Sequence, residues 1–100
     1  MDVLQELFEV ALAAQARAYA PYSHFRVGAA LRAESGGVHA GCNVENAAYP
    51  LGACAEAGAI SAMALAGDSR ITDIVVVGEG PGILTPCGGC RQRLDEFSTV

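Results

Sequence analysis

Phe25-Arg26-Val27-Gly28-Ala29-Ala30-Leu31-Arg32 is the stretch on which the fold turns. It alternates with a period of two, the pattern of a strand that offers one face to a core. Glu34-Ser35-Gly36-Gly37 supplies a turn, and a second extended run covers residues 38–44, so the region reads as a β-hairpin. Upstream, Asp2 is a suitable N-cap for Val3, Leu4, Leu7, Phe8, Ala11 and Leu12, which recur at helical spacing; the pattern runs to about Tyr19 and stops before Pro21. Downstream, residues 46–52 read as a loop and residues 54–66 as an Ala-rich helix, with Gly67 as its stop. Residues 71–78 read as a strand, because they contain Ile74-Val75-Val76-Val77, a β-branched run suited to a strand covered on both sides. Gly80-Pro81-Gly82 breaks that strand, and Pro86-Cys87-Gly88-Gly89-Cys90 opens a final helix towards Phe97. The order helix, hairpin, helix, strand, helix predicts an α/β protein, a three-layer α/β/α sandwich with a mixed sheet, in a single domain over residues 1–100.

Composition narrows the function classes. The chain has 100 residues, 52% of them hydrophobic, which is enough for one core. Six Lys+Arg, all of them Arg, face 11 Asp+Glu for a net charge of −5, so no basic stripe exists to neutralise phosphates, and nucleic acid is not the expected partner. No apolar run approaches the roughly 20 residues that span a bilayer, so no membrane partner is expected, and the acidic start differs from a secretory signal. A cytoplasmic location follows, and in a reducing compartment four cysteines are better read as metal-binding or catalytic thiols than as disulfides.

Their spacing carries the chemistry. Cys54-Ala55-Glu56 starts the Ala-rich helix, and Pro86-Cys87-Gly88-Gly89-Cys90 starts the last one. Three thiolates from Cys54, Cys87 and Cys90 would leave one exchangeable position on a four-coordinate Zn2+, as catalysis needs. Helix N-termini favour thiolate charge. Zinc brings the pKa of a bound water to about 7, giving hydroxide, and a carboxylate close to the metal but not bound to it can move protons; Glu56 is in that place. Cys42, in the second strand, reads as a core thiol, and His24 and His39 as surface or structural histidines.

Cys-x-Glu followed by Pro-Cys-x-x-Cys resembles the signature of the zinc deaminases. Around it, Ala20-Pro21-Tyr22-Ser23-His24-Phe25-Arg26-Val27-Gly28-Ala29-Ala30 and Gly41-Cys42-Asn43-Val44-Glu45-Asn46-Ala47-Ala48-Tyr49-Pro50 make the chain similar to the small, homotetrameric, zinc-dependent cytidine deaminases. The resemblance implies hydrolytic deamination of cytidine and 2′-deoxycytidine in pyrimidine salvage, with zinc-bound hydroxide attacking C4 and Glu56 relaying protons. It implies that Asn43 and Glu45 bind the ribose 3′-hydroxyl, that Phe25 packs against the pyrimidine, that Ala55 touches substrate, and that Ala47 and Tyr49 are positions where a neighbouring subunit completes the pocket. A homo-oligomer, a tetramer by resemblance, is therefore expected. Two departures stand out: Ala57 occupies the position after the catalytic Glu where such enzymes usually carry Arg, leaving helix dipoles and Arg91 to offset thiolate charge, and relatives continue into further sheet and helix beyond the family region present here. Competing readings are a zinc-binding scaffold without turnover, an aminohydrolase for a cytosine-containing antibiotic, and an editor of bases in nucleic acid, the last opposed by the acidic charge balance.

Overall fold

The computed structural model describes residues 2–79 and 88–98, with side chains described for 2–79 and 92–98. The elements are α1 (Val3–Gln15), β1 (Val27–Ala33), β2 (Val38–Cys42), a single 3-10 turn (Tyr49–Leu51), α2 (Ala55–Leu65), β3 (Ile71–Gly78) and α3 (Gly88–Phe97). Asp2 caps α1 as its sequence position suggests, its carboxylate accepting the Gln5 N–H at 2.8 Å. Gly67, at φ 92, turns the chain out of α2 in the left-handed region where glycine is the favoured residue.

The strands stand in the order β2-β1-β3, with β1 antiparallel to both neighbours. Parallel pairing enters through isolated bridges, Tyr19 to Val44 and Ile71 to Ser98, the second on the outer edge of β3. Alternation along β1 divides the side chains between two cores. Ala30 packs with Leu7 and Ala11 of α1 on one side. Ala29, Leu31 and Ala33 pack with Ala55, Ala59, Ile60 and Met63 of α2 on the other, where Leu94 and Phe97 of α3 join them. β3 is split in the same way, Val75 and Val77 facing α1 and Ile74 and Val76 facing α2. This is the two-sided coverage that its β-branched run asks for, and the result is three layers, α1 over the sheet over α2 and α3.

Both helices approach strand backbone closely. A Cβ on Gly28 would stand 2.1 Å from the Ala11 carbonyl oxygen of α1, and one on Gly41 would stand 2.3 Å from the Ala59 amide nitrogen of α2. These are overlaps with main chain that no rotamer change relieves, so the two helices lie where they do because both positions lack a side chain.

Helix α1 and the hairpin are shorter than the sequence pattern suggests. α1 ends at Gln15 instead of reaching Tyr19, because the Tyr19 N–H donates to the Asn43 carbonyl at 3.0 Å and the Tyr19 carbonyl accepts from the Glu45 N–H at 2.8 Å. The hairpin is also trimmed, β1 starting at Val27 and β2 ending at Cys42. There the Asn43 side chain occupies the main chain of residues 25–27, its Oδ1 accepting the Val27 N–H at 2.8 Å and its Nδ2 donating to the Phe25 carbonyl at 2.9 Å. No helix among the described residues is long and apolar enough to cross a membrane.

Candidate active site

The site forms where β2 hands the chain to α2. Val44 leaves the hairpin and pairs with Ala53 through two main-chain bonds of 2.9 and 2.8 Å, closing residues 45–52 into a loop. That pairing carries Asn43 and Glu45 to the N-terminus of α2, where Cys54 is the N-cap residue and Glu56 sits in the first turn. Glu56 is 5% exposed, the one buried charged side chain among the described residues. Burying a carboxylate costs several kcal/mol unless charge or hydrogen bonds compensate. Its placement beside Cys54 at the positive end of a helix gives the charge a compensating field.

A cleft of about 760 Å³ opens at this junction. Of the residues singled out in the sequence, Asn43, Glu45, Tyr49, Cys54, Ala55 and Glu56 line it. Phe25 and Ala47 do not; Phe25 is 37% exposed and enters the site region through its carbonyl, held by Asn43, while Ala47 is on the surface of the loop. Tyr22, Ser23, Val76 and Arg93 also line the cleft and were not anticipated. Tyr22 and Ser23 lie in the quoted resemblance and Arg93 in the helix behind Cys90, but which of their neighbours they meet depends on the fold.

The Glu45 carboxylate accepts three hydrogen bonds from one turn. Its Oε1 accepts the N–H groups of Tyr22 and Ser23 at 3.0 and 3.1 Å, and its Oε2 accepts the Ser23 hydroxyl. The Ser23 hydroxyl, with the Ser23 and Tyr22 amides, holds the Glu45 carboxyl below its ordinary pKa, and the nearby His24 adds to the effect. Within the turn so held, His24 has φ 57, the only described non-glycine residue in the left-handed region. The other histidine lies away from the cleft, His39 Nε2 standing 2.8 Å from Asp68 Oδ2.

Cys42 pairs in register with Gly28, which places it on the α1 side of the sheet, across from α2. Cys87 and the side chains of Cys90 and Arg91 lie outside the described residues. Among the described residues there is no group of three metal donors. The donor chemistry of Cys54, Cys87 and Cys90, three soft thiols with no carboxylate among them, suits zinc, and the one whose side chain is described lines the cleft. α3, which begins at Gly88, brings Arg93 to the same cleft.

The chain is 43% identical over 97 residues to a cytidine deaminase of Sporosarcina psychrophila, covering 97% of this chain and 71% of that protein. It is 46% identical over 83 residues to a cytidine deaminase of Mycobacterium tuberculosis, covering 83% of this chain and 62% of that protein. Among solved structures, the cytidine deaminase of Burkholderia pseudomallei superposes with a TM-score of 0.90 at 48% identity, over 97% of this chain and 77% of that one. The Mycobacterium tuberculosis crystal structure gives the same TM-score at 41% identity, over 98% of this chain and 80% of that one. The model of the cytidine and deoxycytidylate deaminase zinc-binding region matches residues 1–100, and with the buried Glu56, Cys54 and the cleft at the start of α2, this chain belongs to that family.

Proposed function

We propose that the chain is a single deaminase domain that hydrolyses cytidine and 2′-deoxycytidine to uridine and 2′-deoxyuridine, releasing ammonia. The observation that carries this reading is the buried Glu56 carboxylate lining the cleft next to Cys54. Cys54, Cys87 and Cys90 would hold zinc, which when bound supplies a Lewis acid that lowers the pKa of water to about 7. Glu56 then takes a proton from the attacking water and returns protons to the pyrimidine N3 and the exocyclic nitrogen, which leaves as ammonia. Burial favours this role, because a carboxylate screened from bulk solvent keeps the proton within the site.

Asn43 and Glu45 suit a sugar hydroxyl. The Asn43 amide uses one of its two N–H groups on the Phe25 carbonyl, and Glu45 Oε2 has accepted only from Ser23, so the pair still offers one donor and one acceptor. A hydroxyl needs both. The ionised Glu45 opposes a phosphodiester at the same place, which with the net charge of −5 argues for a free nucleoside over nucleic acid. Tyr49 and Leu51, 90% and 73% exposed beside the cleft, support a homo-oligomer in which a second copy covers the loop that carries Ala47 and Tyr49; we take this to be the tetramer. A reducing cytoplasm suits the thiol donor set.

The test couples metal analysis to the fall in cytidine absorbance. About one zinc per chain, with uridine and ammonia formed in equal amounts, is expected. Bound zinc with no ammonia released from cytidine would select the scaffold reading, and turnover confined to a cytosine-containing antibiotic would move the substrate.

A further inference from the structure

We propose that Ser23 is a positioning residue for nucleoside recognition: its hydroxyl orients the Glu45 carboxylate so that one acceptor site faces the sugar hydroxyl. The proposal rests on the nucleoside reading above and extends it to a residue that neither the thiol pattern nor the buried carboxylate points to. Three donors fix Glu45, and all come from one turn: the Tyr22 amide, the Ser23 amide and the Ser23 hydroxyl. The two amides share Oε1, so they anchor one oxygen and leave the carboxylate free to swing about it. Only the Ser23 hydroxyl reaches Oε2, and it thereby sets the plane of the group. Glu has three side-chain torsions, and ordering them at the moment of binding would weaken the contact to substrate.

The surrounding geometry is built to hold that hydroxyl in place. Ser23 Oγ accepts the Phe25 N–H at 3.0 Å, which turns its own hydrogen towards Glu45. His24, between them, is kept in the left-handed region, a conformation that persists only where neighbours enforce it. On the far side of Phe25, the Asn43 carboxamide holds residues 25 and 27, so the segment that carries Ser23 is fixed at both ends by the two side chains proposed to meet the sugar. Ser23, Asn43 and Glu45 all line the cleft. Removing the hydroxyl leaves both amides on Oε1 and both Asn43 bonds intact, and because Ser23 is exposed, water can satisfy the Phe25 N–H that it released.

The experiment compares cytidine with 3′-deoxycytidine on the parent protein, Ser23→Ala and Ser23→Thr. Loss of one charge-assisted hydrogen bond predicts that Ser23→Ala lowers kcat/KM for cytidine about tenfold, chiefly through KM, with kcat within about twofold. For 3′-deoxycytidine, which has no hydroxyl for Glu45 to meet, the same substitution changes kcat/KM by no more than about twofold, and Ser23→Thr restores the cytidine value. Equal loss on both nucleosides overturns the proposal and makes Ser23 a support for the turn alone; no loss on either overturns it as well. A parent protein that does not discriminate between the two nucleosides overturns the underlying reading instead, and that result appears before any substitution is made.

Discussion

On one face of the sheet α1 lies over Gly28, and on the other α2 lies over Gly41, each helix touching strand backbone where no side chain intervenes. The contacts are alike, but what the helices bring to them differs. α1 seals its side with Leu7 and Ala11 and leaves Leu4, Phe8 and Leu12 substantially exposed, the arrangement of a covering helix. α2 buries Ala55, Ala59, Ile60 and Met63, and among these apolar neighbours it also buries Glu56. Small residues around a buried acid let the helix lie close to β2, so that Glu56, Cys54 and the Asn43–Glu45 segment share one cleft. The candidate site is on the α2 side because the Val44–Ala53 pairing brings the start of α2 beside the end of β2.

The widest separation between the two faces is expected from Glu56→Gln. It preserves shape but cannot carry protons, so turnover should fall by roughly 10²–10⁴-fold while zinc content stays at the parent level. Steady-state rates with metal analysis on the same sample check it, and a variant deaminating cytidine at the parent rate would remove Glu56 from the mechanism. Next come Gly41→Ala and Gly28→Ala, each forcing a methyl group against helix backbone and each expected to cost about 1–3 kcal/mol of stability. The faces part company in activity: displacing α2 moves Glu56 against Asn43 and should lower kcat/KM, whereas displacing α1 should leave it near parent. Chemical denaturation beside kinetics measures both, and equal kinetic losses would break the comparison.

A smaller effect is expected from Asp68, in the connection behind α2. The Ser35 hydroxyl and then His39 hold its carboxyl below the ordinary 3.8, so its folded form binds a proton less readily than its unfolded form. Its stabilisation is therefore complete above that ordinary value and is lost as pH falls through the lower folded one. Asp68→Asn should flatten the acid limb of a stability profile, and an unchanged limb would show that the His39–Asp68 contact does not stabilise the α2 side. The least effect belongs to the outer face of α1, where Leu4→Ser should stay within about 0.5 kcal/mol of parent stability. A larger loss, growing with protein concentration, would reveal a partner on that face.

What the sequence made legible follows the same division. β3 has the bounds expected of its β-branched run, and α2 begins with Cys54 as N-cap and Glu56 in its first turn because both are governed by local pattern. The hairpin was legible for the same reason, since alternation over residues 27–33 is a local property. Its limits were not, because Asn43 takes the main-chain groups of Phe25 and Val27 from 18 and 16 residues away in sequence. The end of α1 was hidden similarly: nothing near Ala16 to Tyr19 signals that Asn43 and Glu45 claim the Tyr19 main chain. Ser23 escaped notice because a serine in a turn gains its meaning only when the carboxylate it faces is known.

The glycine and alanine contacts between β2 and α2 have a consequence in entropy. Gly41 meets the main chain of Ala55, Gly58 and Ala59, none of which has a rotamer to freeze. The packing of α2 on β2 at this point is thus reached with almost no loss of side-chain freedom in the residues that touch, and no alternative rotamer of theirs can loosen it on warming. What is lost instead is backbone freedom in the unfolded chain, which is greatest for glycine and falls chiefly on Gly41 and Gly58. The disorder surrendered to align the groups is thus taken from the unfolded chain during folding, leaving little to surrender when substrate arrives.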